Sequence, residues 1–237
     1  MSSNPMTIAA KRRAAEAAAA LVQSGMAVGL GTGTTAELVI RALSERVADE
    51  GLRFLAVPTS VETAELASSL GIPLRELDDV DVLDLNLDGA DEIDPEFRMI
   101  KGRGGALLRE KLVVTAARRR VTVITEEKQV ARLGQNAPIP VEVSPIGARH
   151  TQRRLEALGA RTILRVRPDG DPMITDGGNR IIDCHFQSPP DASQLDTILK
   201  HVVGVFETGL FIGLCDLVIV GGANGVTQLE NYSATRA

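Results

Sequence analysis

The sequence predicts an α/β fold: a Rossmann-like parallel sheet covered by helices on both faces, with a smaller α+β domain inserted into it. Three observations predict it. Strand-like and helix-like patterns alternate through the first half of the chain, the signature of parallel strands joined by crossover helices. The texture changes at "GQNAPIPVEVSPIG", where three prolines fall within eight residues. An apolar strand of the first-half kind, "DLVIVGG", then returns near the carboxyl end. The expected main α/β domain is residues 1–134 and 206–237, and the expected insertion is residues 135–205.

The elements follow in order. A helix is expected over roughly residues 7–23, ended by Gly25. Its alanine-rich stretch "AAEAAAALV" is interrupted by Glu16 and preceded by Lys11, Arg12 and Arg13, so it reads as a helix and not as a targeting segment. The strand "MAVGL" leads through "GTGTT" into the helix "AELVIRALSERVADE". "LRFLAVP", the helix "SVETAELASSLG" and a short strand around residues 72–75 come next. In "LDLNLDGADEID", Leu83, Leu85 and Leu87 alternate with Asp84, Asn86 and Asp88, a strand with one buried face. The loop "KGRGG", the helix "ALLREKLVVTAA" and the strand "RVTVITE" close the first half. In the insertion, "ARHTQRRLEALGA" and "SQLDTILKHV" read as helices, and "RTILRVRP" and "PMITDGGNRIIDCHF" as a strand and a hairpin.

The 237 residues suffice for one large domain or a domain with a smaller companion, and 44% apolar with 24% charged residues is an ordinary globular balance. The net charge of −5 argues against a nucleic-acid partner, which would call for a basic stripe. No apolar run reaches membrane-spanning length, so no membrane partner is expected and a cytoplasmic location is. Cys184 and Cys215 sit in apolar strand-like runs and are expected as buried, reduced thiols.

In an open parallel sheet, ligands bind beyond the carboxyl ends of the strands. Here those ends carry "GLGTGTT", "PTS", "DGADEID", "TEEK" and "GGANG". The glycine loop joins a strand to a helix, where free N–H groups attract an anion. It matches neither the dinucleotide nor the P-loop pattern, because Thr34 stands where a third glycine is needed and no Gly-Lys-Ser/Thr follows. Its residues fit a terminal phosphate, or a tight turn with no ligand. The carboxylates Asp88, Asp91, Glu92 and Asp94 admit three readings: a hard-metal site, a solvated acidic turn, or acceptors for the hydroxyls of a polyol. The spacing of a calcium loop is absent. Lys101 precedes a glycine loop that opens a helix, so an ammonium and helix N–H groups can face one oxyanion. By pattern, Glu110 reads as a surface charge, because Leu107, Leu108 and Leu112 mark out the apolar face of its helix. Lys128 reads as a surface lysine.

Taken together, "GLGTGTTA", "LDGADEID", "MIKGRGGALLREKLV", "EEKQV", "PIPVEV" and "GVFETGLF" resemble, in order and spacing, type A ribose-5-phosphate isomerase, over nearly the whole chain from Lys11 to Val226. The resemblance implies an aldose–ketose isomerase of the pentose phosphate pathway that interconverts ribose 5-phosphate and ribulose 5-phosphate with no cofactor and no metal. It implies that Thr32, Gly33, Thr34 and Thr35 form the phosphate loop, with Lys128 and Lys11 as charged partners. Asp88, Gly89, Ala90 and Asp91 would bind the sugar, with Asp88 assisting ring opening. Lys101, Gly102, Arg103 and Gly104 would hold the reacting oxygens. Glu110 would be the base that moves the proton between C2 and C1, which overrides the surface reading. The leading aspartates would then hold sugar hydroxyls while Glu92 and Asp94 face water.

Two residues depart from the family pattern. Arg103 replaces the middle glycine of Lys-Gly-Gly-Gly, and would be strained if that position needs a positive φ. Thr34 stands where serine is common and keeps the hydroxyl. An isomerase or deaminase acting on another sugar phosphate is the enzymatic alternative. A non-catalytic sugar-phosphate sensor is the other class, disfavoured because no DNA-binding helix pair precedes residue 25 and because Lys101 and Glu110 are both present. The family commonly forms homodimers or homotetramers, so a homo-oligomer is expected.

Overall fold

The computed structural model describes residues 5–189 and 191–231. Residues 1–4, 190 and 232–237 of the expected domains lie outside the described residues. The chain divides into two compact units: Met1–Ala90, Arg109–Gln129 and Gly213–Ala237 form the first, and Asp91–Leu108 with Val130–Ile212 the second.

In the first unit a six-stranded sheet is built from β1 (Ala27–Leu30), β2 (Leu55–Pro58), β3 (Leu83–Gly89), β6 (Ala117–Thr125), β12 (Leu217–Gly222) and β13 (Gly225–Glu230), in the order β13-β12-β6-β3-β1-β2. All neighbours pair in parallel except β12 with β13. Three helices belong wholly to this unit: α1 (Pro5–Ala19), α2 (Thr34–Glu50) and α3 (Val61–Ser69). The small side chains of α1 let it pack against α2, β6 and β12, and Ala14, Ala15, Ala18 and Ala19 are buried there with Leu85, Leu87 and Ile219. At Gly221 a Cβ would stand 2.1 Å from the Ala10 carbonyl, so only glycine admits α1 so close to β12. Ser60 caps α3, its hydroxyl accepting from the Thr63 N–H.

The second unit holds two sheets. β4 (Glu92–Ile93), β5 (Met99–Ile100) and β11 (Leu210–Phe211) form a small antiparallel one in the order β11-β5-β4. β7 (Ile139–Val143), β8 (Arg161–Leu164), β9 (Arg180–His185) and β10 (Val205–Thr208) form the other, in the order β10-β7-β9-β8 and antiparallel throughout. One face of this sheet, with Ile139, Val141, Val143, Ile182 and Cys184, is buried with Leu155 of α5 (Ala148–Ala157) and with Leu195 and Leu199 of α6 (Ala192–Lys200). By strand alternation its other face carries Pro140, Glu142, Ile181 and Asp183. Glu142 is buried on that face and accepts from the Thr175 hydroxyl and the Asn179 amide.

The structure differs from the sequence reading in particular places. The last strand is antiparallel, because β12 and β13 are joined by a hairpin too short for a crossover. The expected strand at residues 72–75 is a single bridge between Leu74 and Ala56, since Pro73 breaks a ladder. The unit boundaries differ from the expected domain boundaries too. Residues 91–108 group with the second unit, held there by β4 and β5. The division falls inside α4 (Leu107–Thr115).

Candidate active site

In the first unit, the glycine loop turns from β1 into α2 beside the end of β3. Gly31 donates to the Leu87 carbonyl at 2.9 Å, and a Cβ on Gly31 would come within 2.0 Å of Asp88 Oδ1. Close approach of the two strands therefore requires glycine at 31. Asp88 Oδ1 accepts from the N–H groups of Thr32 (3.2 Å) and Gly89 (2.7 Å). The glycine loop and the acidic strand end thus meet through one carboxylate. Gly33 (φ 96°) precedes Thr34, the first residue of α2, whose opening N–H groups lack helical partners. Lys11 Nζ donates to the Thr34 hydroxyl at 3.2 Å, and Gly89 lies against Thr35, where an added Cβ would stand 3.7 Å from the Thr35 Cβ. A cationic side chain, a helix N-terminus and three threonine hydroxyls gather here, the chemistry of an anion site.

Sequence reasoning gave no role to the hydroxyls that brace this turn. The Thr32 hydroxyl lies 2.7 Å from that of Thr59 and 3.3 Å from that of Thr63, and Thr63 Oγ1 donates to the Gly31 carbonyl at 2.8 Å. Thr59 and Thr63 are buried. The signal was the "PTS" strand end followed by a Ser60-x-x-Thr63 cap, which reads only as a helix start until β1 and β2 are paired.

Glu110 is buried, 3% exposed, and the surface reading of its pattern is wrong. Leu112, expected on the apolar face, is half exposed, while Leu107, Val113 and Val114 are buried. The inward face of α4 is therefore Leu107, Glu110 and Val113, spaced by one turn. Val113 and Asn86 both crowd Gly29: a Cβ there would lie 2.7 Å from Val113 Cγ1 and 2.5 Å from Asn86 Oδ1, and Val113 is buried with Val57 and Leu83. Glu110, one turn earlier, shares the face of α4 that packs on β1 and β3. Asn86 and Asp88 share the face of β3 opposite Leu85 and Leu87, and both are buried. Lys128, half-buried, sits in the 3₁₀ turn Glu126–Lys128 that follows β6.

In the second unit, Asp91, Lys101, Gly102, Arg103 and Gly104 come together. The Asp91 N–H donates to the Ile100 carbonyl at 2.8 Å, and Asp91 Oδ2 accepts from the Arg103 N–H at 3.0 Å. Lys101 is 4% exposed. Its N–H donates to the Gly209 carbonyl, and Nζ stands 5.4 Å from the centre of the buried Phe211 ring, a cation–π contact. Gly102 (φ 102°) and Gly105 (φ 90°) take the left-handed region, and Arg103 does not: among the described residues Phe97 is the only non-glycine with positive φ. Arg103 fits without backbone strain, and its side chain is exposed.

Two acids expected to face water do not. Glu92 is 1% exposed and accepts from the N–H groups of Gly134, Asn136 and Ala137. It pins the turn before β7, a long-range role that no local pattern encodes. Asp94 is buried and accepts from the Glu96 and Arg98 N–H groups and, at 2.7 Å, from Arg98 Nε. Both are structural acceptors and are not solvated charges. Among the described residues no three His, Cys, Asp or Glu side chains gather as a metal-ligand set.

The family model for ribose 5-phosphate isomerase A (phosphoriboisomerase A) matches residues 55–225. The chain is 52% identical over 222 residues to ribose-5-phosphate isomerase A of Thermomicrobium roseum, covering 93% of each chain. Its structure resembles that of ribose 5-phosphate isomerase A from Methanocaldococcus jannaschii, with a TM-score of 0.90 and 40% identity, covering 94% of this chain and 99% of that one. It also resembles a D-ribose-5-phosphate isomerase solved in complex with phospho-erythronic acid, with a TM-score of 0.92 and 38% identity at the same coverage.

Proposed function

The chain belongs to the ribose 5-phosphate isomerase A family, an aldose–ketose isomerase family, and on that premise we propose a mechanism for its conversion of ribose 5-phosphate to ribulose 5-phosphate through an enediolate, with Glu110 as the proton-transferring base. The observation that carries the assignment is the burial of Glu110, a carboxylate 3% exposed between the flanking charges Arg109 and Lys111. A carboxylate on the buried face of a helix is held in position and shielded from bulk water, and a positioned carboxylate is the general base such a reaction needs.

The residues divide the work by chemistry. Thr32–Thr35, Lys11 and Lys128 hold the phosphate, remote from the reacting carbons, and that binding keeps the open-chain sugar in place. Asp88 and Asp91 accept from sugar hydroxyls, and Asp88 assists ring opening. Glu110 takes the proton from C2; the C1–C2 double bond forms and the aldehyde oxygen O1 becomes anionic. Lys101 and the N–H groups of the loop to Gly104 stabilise that charge. The proton returns to C1 while the O2 proton passes to O1, so that C2 becomes the ketone and C1 carries the hydroxyl. Phospho-erythronic acid, the ligand of one solved relative, has a planar two-oxygen anion at the end opposite its phosphate, like the enediolate. A homodimer or homotetramer in the cytoplasm is the expected setting.

The test is an NMR time course with ribose 5-phosphate in heavy water, chelator present, beside Glu110→Gln. Ribulose 5-phosphate is expected to appear with solvent deuterium incorporated, and the variant to be slower by about 10²–10⁴-fold. Binding without conversion or exchange in the wild type would sink the isomerase reading. A fully active variant would sink the base assignment alone.

A further inference from the structure

The loop from Lys101 to Gly105 lies on the face of the four-stranded sheet that carries Pro140, Ile181 and Asp183. A Cβ on Gly102 would stand 3.4 Å from Pro140 Cγ, and one on Gly105 would meet Met173 Cε at 2.3 Å and Ile181 Cδ1 at 3.6 Å. Arg165, just past β8, reaches the loop from the same sheet. Its Nη1 donates to the carbonyls of Gly102 (2.7 Å) and Arg103 (3.0 Å). Its Nε donates to Asp183 Oδ2 at 2.9 Å, and its Nη2 to Asp183 Oδ1. Four of the five guanidinium N–H groups are thereby engaged, and the Arg165 and Asp183 side chains are only 14% and 15% exposed.

A surface ion pair would explain Asp183 but not the two carbonyls. A trans peptide points its carbonyl and its N–H in opposite directions. With both carbonyls held by Arg165, the N–H groups of Arg103 and Gly104 must face away from it. The Arg103 N–H does so, donating to Asp91 Oδ2 at 3.0 Å.

We propose that Arg165, clamped by Asp183, is a positioning residue of the isomerase: it fixes the 102–103 and 103–104 peptide planes so that their N–H groups face Asp91 and the reacting oxygens. This rests on the isomerase reading above. Arginine is required because its planar fork bridges a carboxylate on one edge and two carbonyls on another, whereas a lysine ammonium is a point donor on a flexible stem. The smaller sheet thereby sets the orientation of catalytic donors that it does not itself carry.

The experiment compares wild type, Arg165→Ala, Arg165→Lys and Asp183→Asn as full chains, with thermal melts to establish folding. It measures kcat and KM for ribose 5-phosphate and inhibition by phospho-erythronic acid and by inorganic phosphate. Arg165→Ala is expected to lose roughly 10- to 100-fold in kcat, the scale of a small misplacement of catalytic groups. Phospho-erythronic acid should weaken in parallel while inorganic phosphate binds as before, and added guanidinium should restore part of the rate. Arg165→Lys is expected to fall short of wild type. If Arg165→Ala does not fold, Arg165→Lys and Asp183→Asn are read in the same way. Wild-type kcat in the folded variants overturns the inference. So does a loss in which inorganic phosphate weakens as much as phospho-erythronic acid, because that is general loosening. A wild-type chain that leaves ribose 5-phosphate unconverted overturns the isomerase reading itself.

Discussion

Arg103 shows how a single position is decided by its dihedral and not by its type. The family resemblance puts a glycine there, and a glycine would be needed if φ were positive. Only Gly102 and Gly105 of the loop take that region. The sign of the effect of Arg103→Gly is therefore predicted: stability falls by about 0.4–1 kcal/mol, because the unfolded chain gains freedom while no strain is relieved. Denaturant titration measures it, and a stabilised variant would show that arginine is strained. Glu110 teaches the opposite lesson. Its neighbours in sequence are charged, so pattern alone puts it on the surface, but Val113 docking at Gly29 and Leu83 turns its face of the helix inward.

At the scale of elements, β6 and β12 are tied together at the ends where their shared ladder begins. Asp216 accepts from the Arg120 N–H at 2.7 Å and Nε at 2.8 Å on one oxygen, and from Nη2 at 2.6 Å on the other, while Arg120 Nη1 holds the Gly213 carbonyl. Burial alone would raise the Asp216 pKa, but the hydrogen bonds and charge of Arg120 outweigh it and hold the carboxyl below its ordinary value. A depressed folded pKa means that the stabilisation is fully present above the unfolded value, about 3.9 for aspartate. It is lost as pH falls through the lower folded value. Asp216→Asn is expected to cost about 1–3 kcal/mol at neutral pH. The gap from wild type should narrow as the medium is acidified below the ordinary carboxylate range, measured by urea midpoints across that range. A gap independent of pH would mean that the charge contributes nothing.

At the scale of the whole molecule, each unit carries one buried thiol: Cys215 in the first and Cys184 in the second. Burial pushes Cys184 up to about 12 and Cys215 up to about 11. The thiolate is the nucleophile, so neither is expected to react with iodoacetamide in the native chain near pH 8. In denaturant, mass spectrometry of each labelled peptide reports the opening of its own unit, and rapid native labelling of either would contradict the burial. Alternation of strands and helices, the strand end at Asp88 and the glycine loop were all legible in the sequence, because period and turn chemistry are local properties. The sequence by itself determined the α/β class and, through motifs in fixed order, the family resemblance. Only tertiary structure decided what is long-range: that Glu92 pins residues 134–137, that Glu110 faces inward, and that Arg165 reaches the loop after Lys101. A side chain's burial and partners depend on which distant elements pack beside it, and no window of sequence contains those elements.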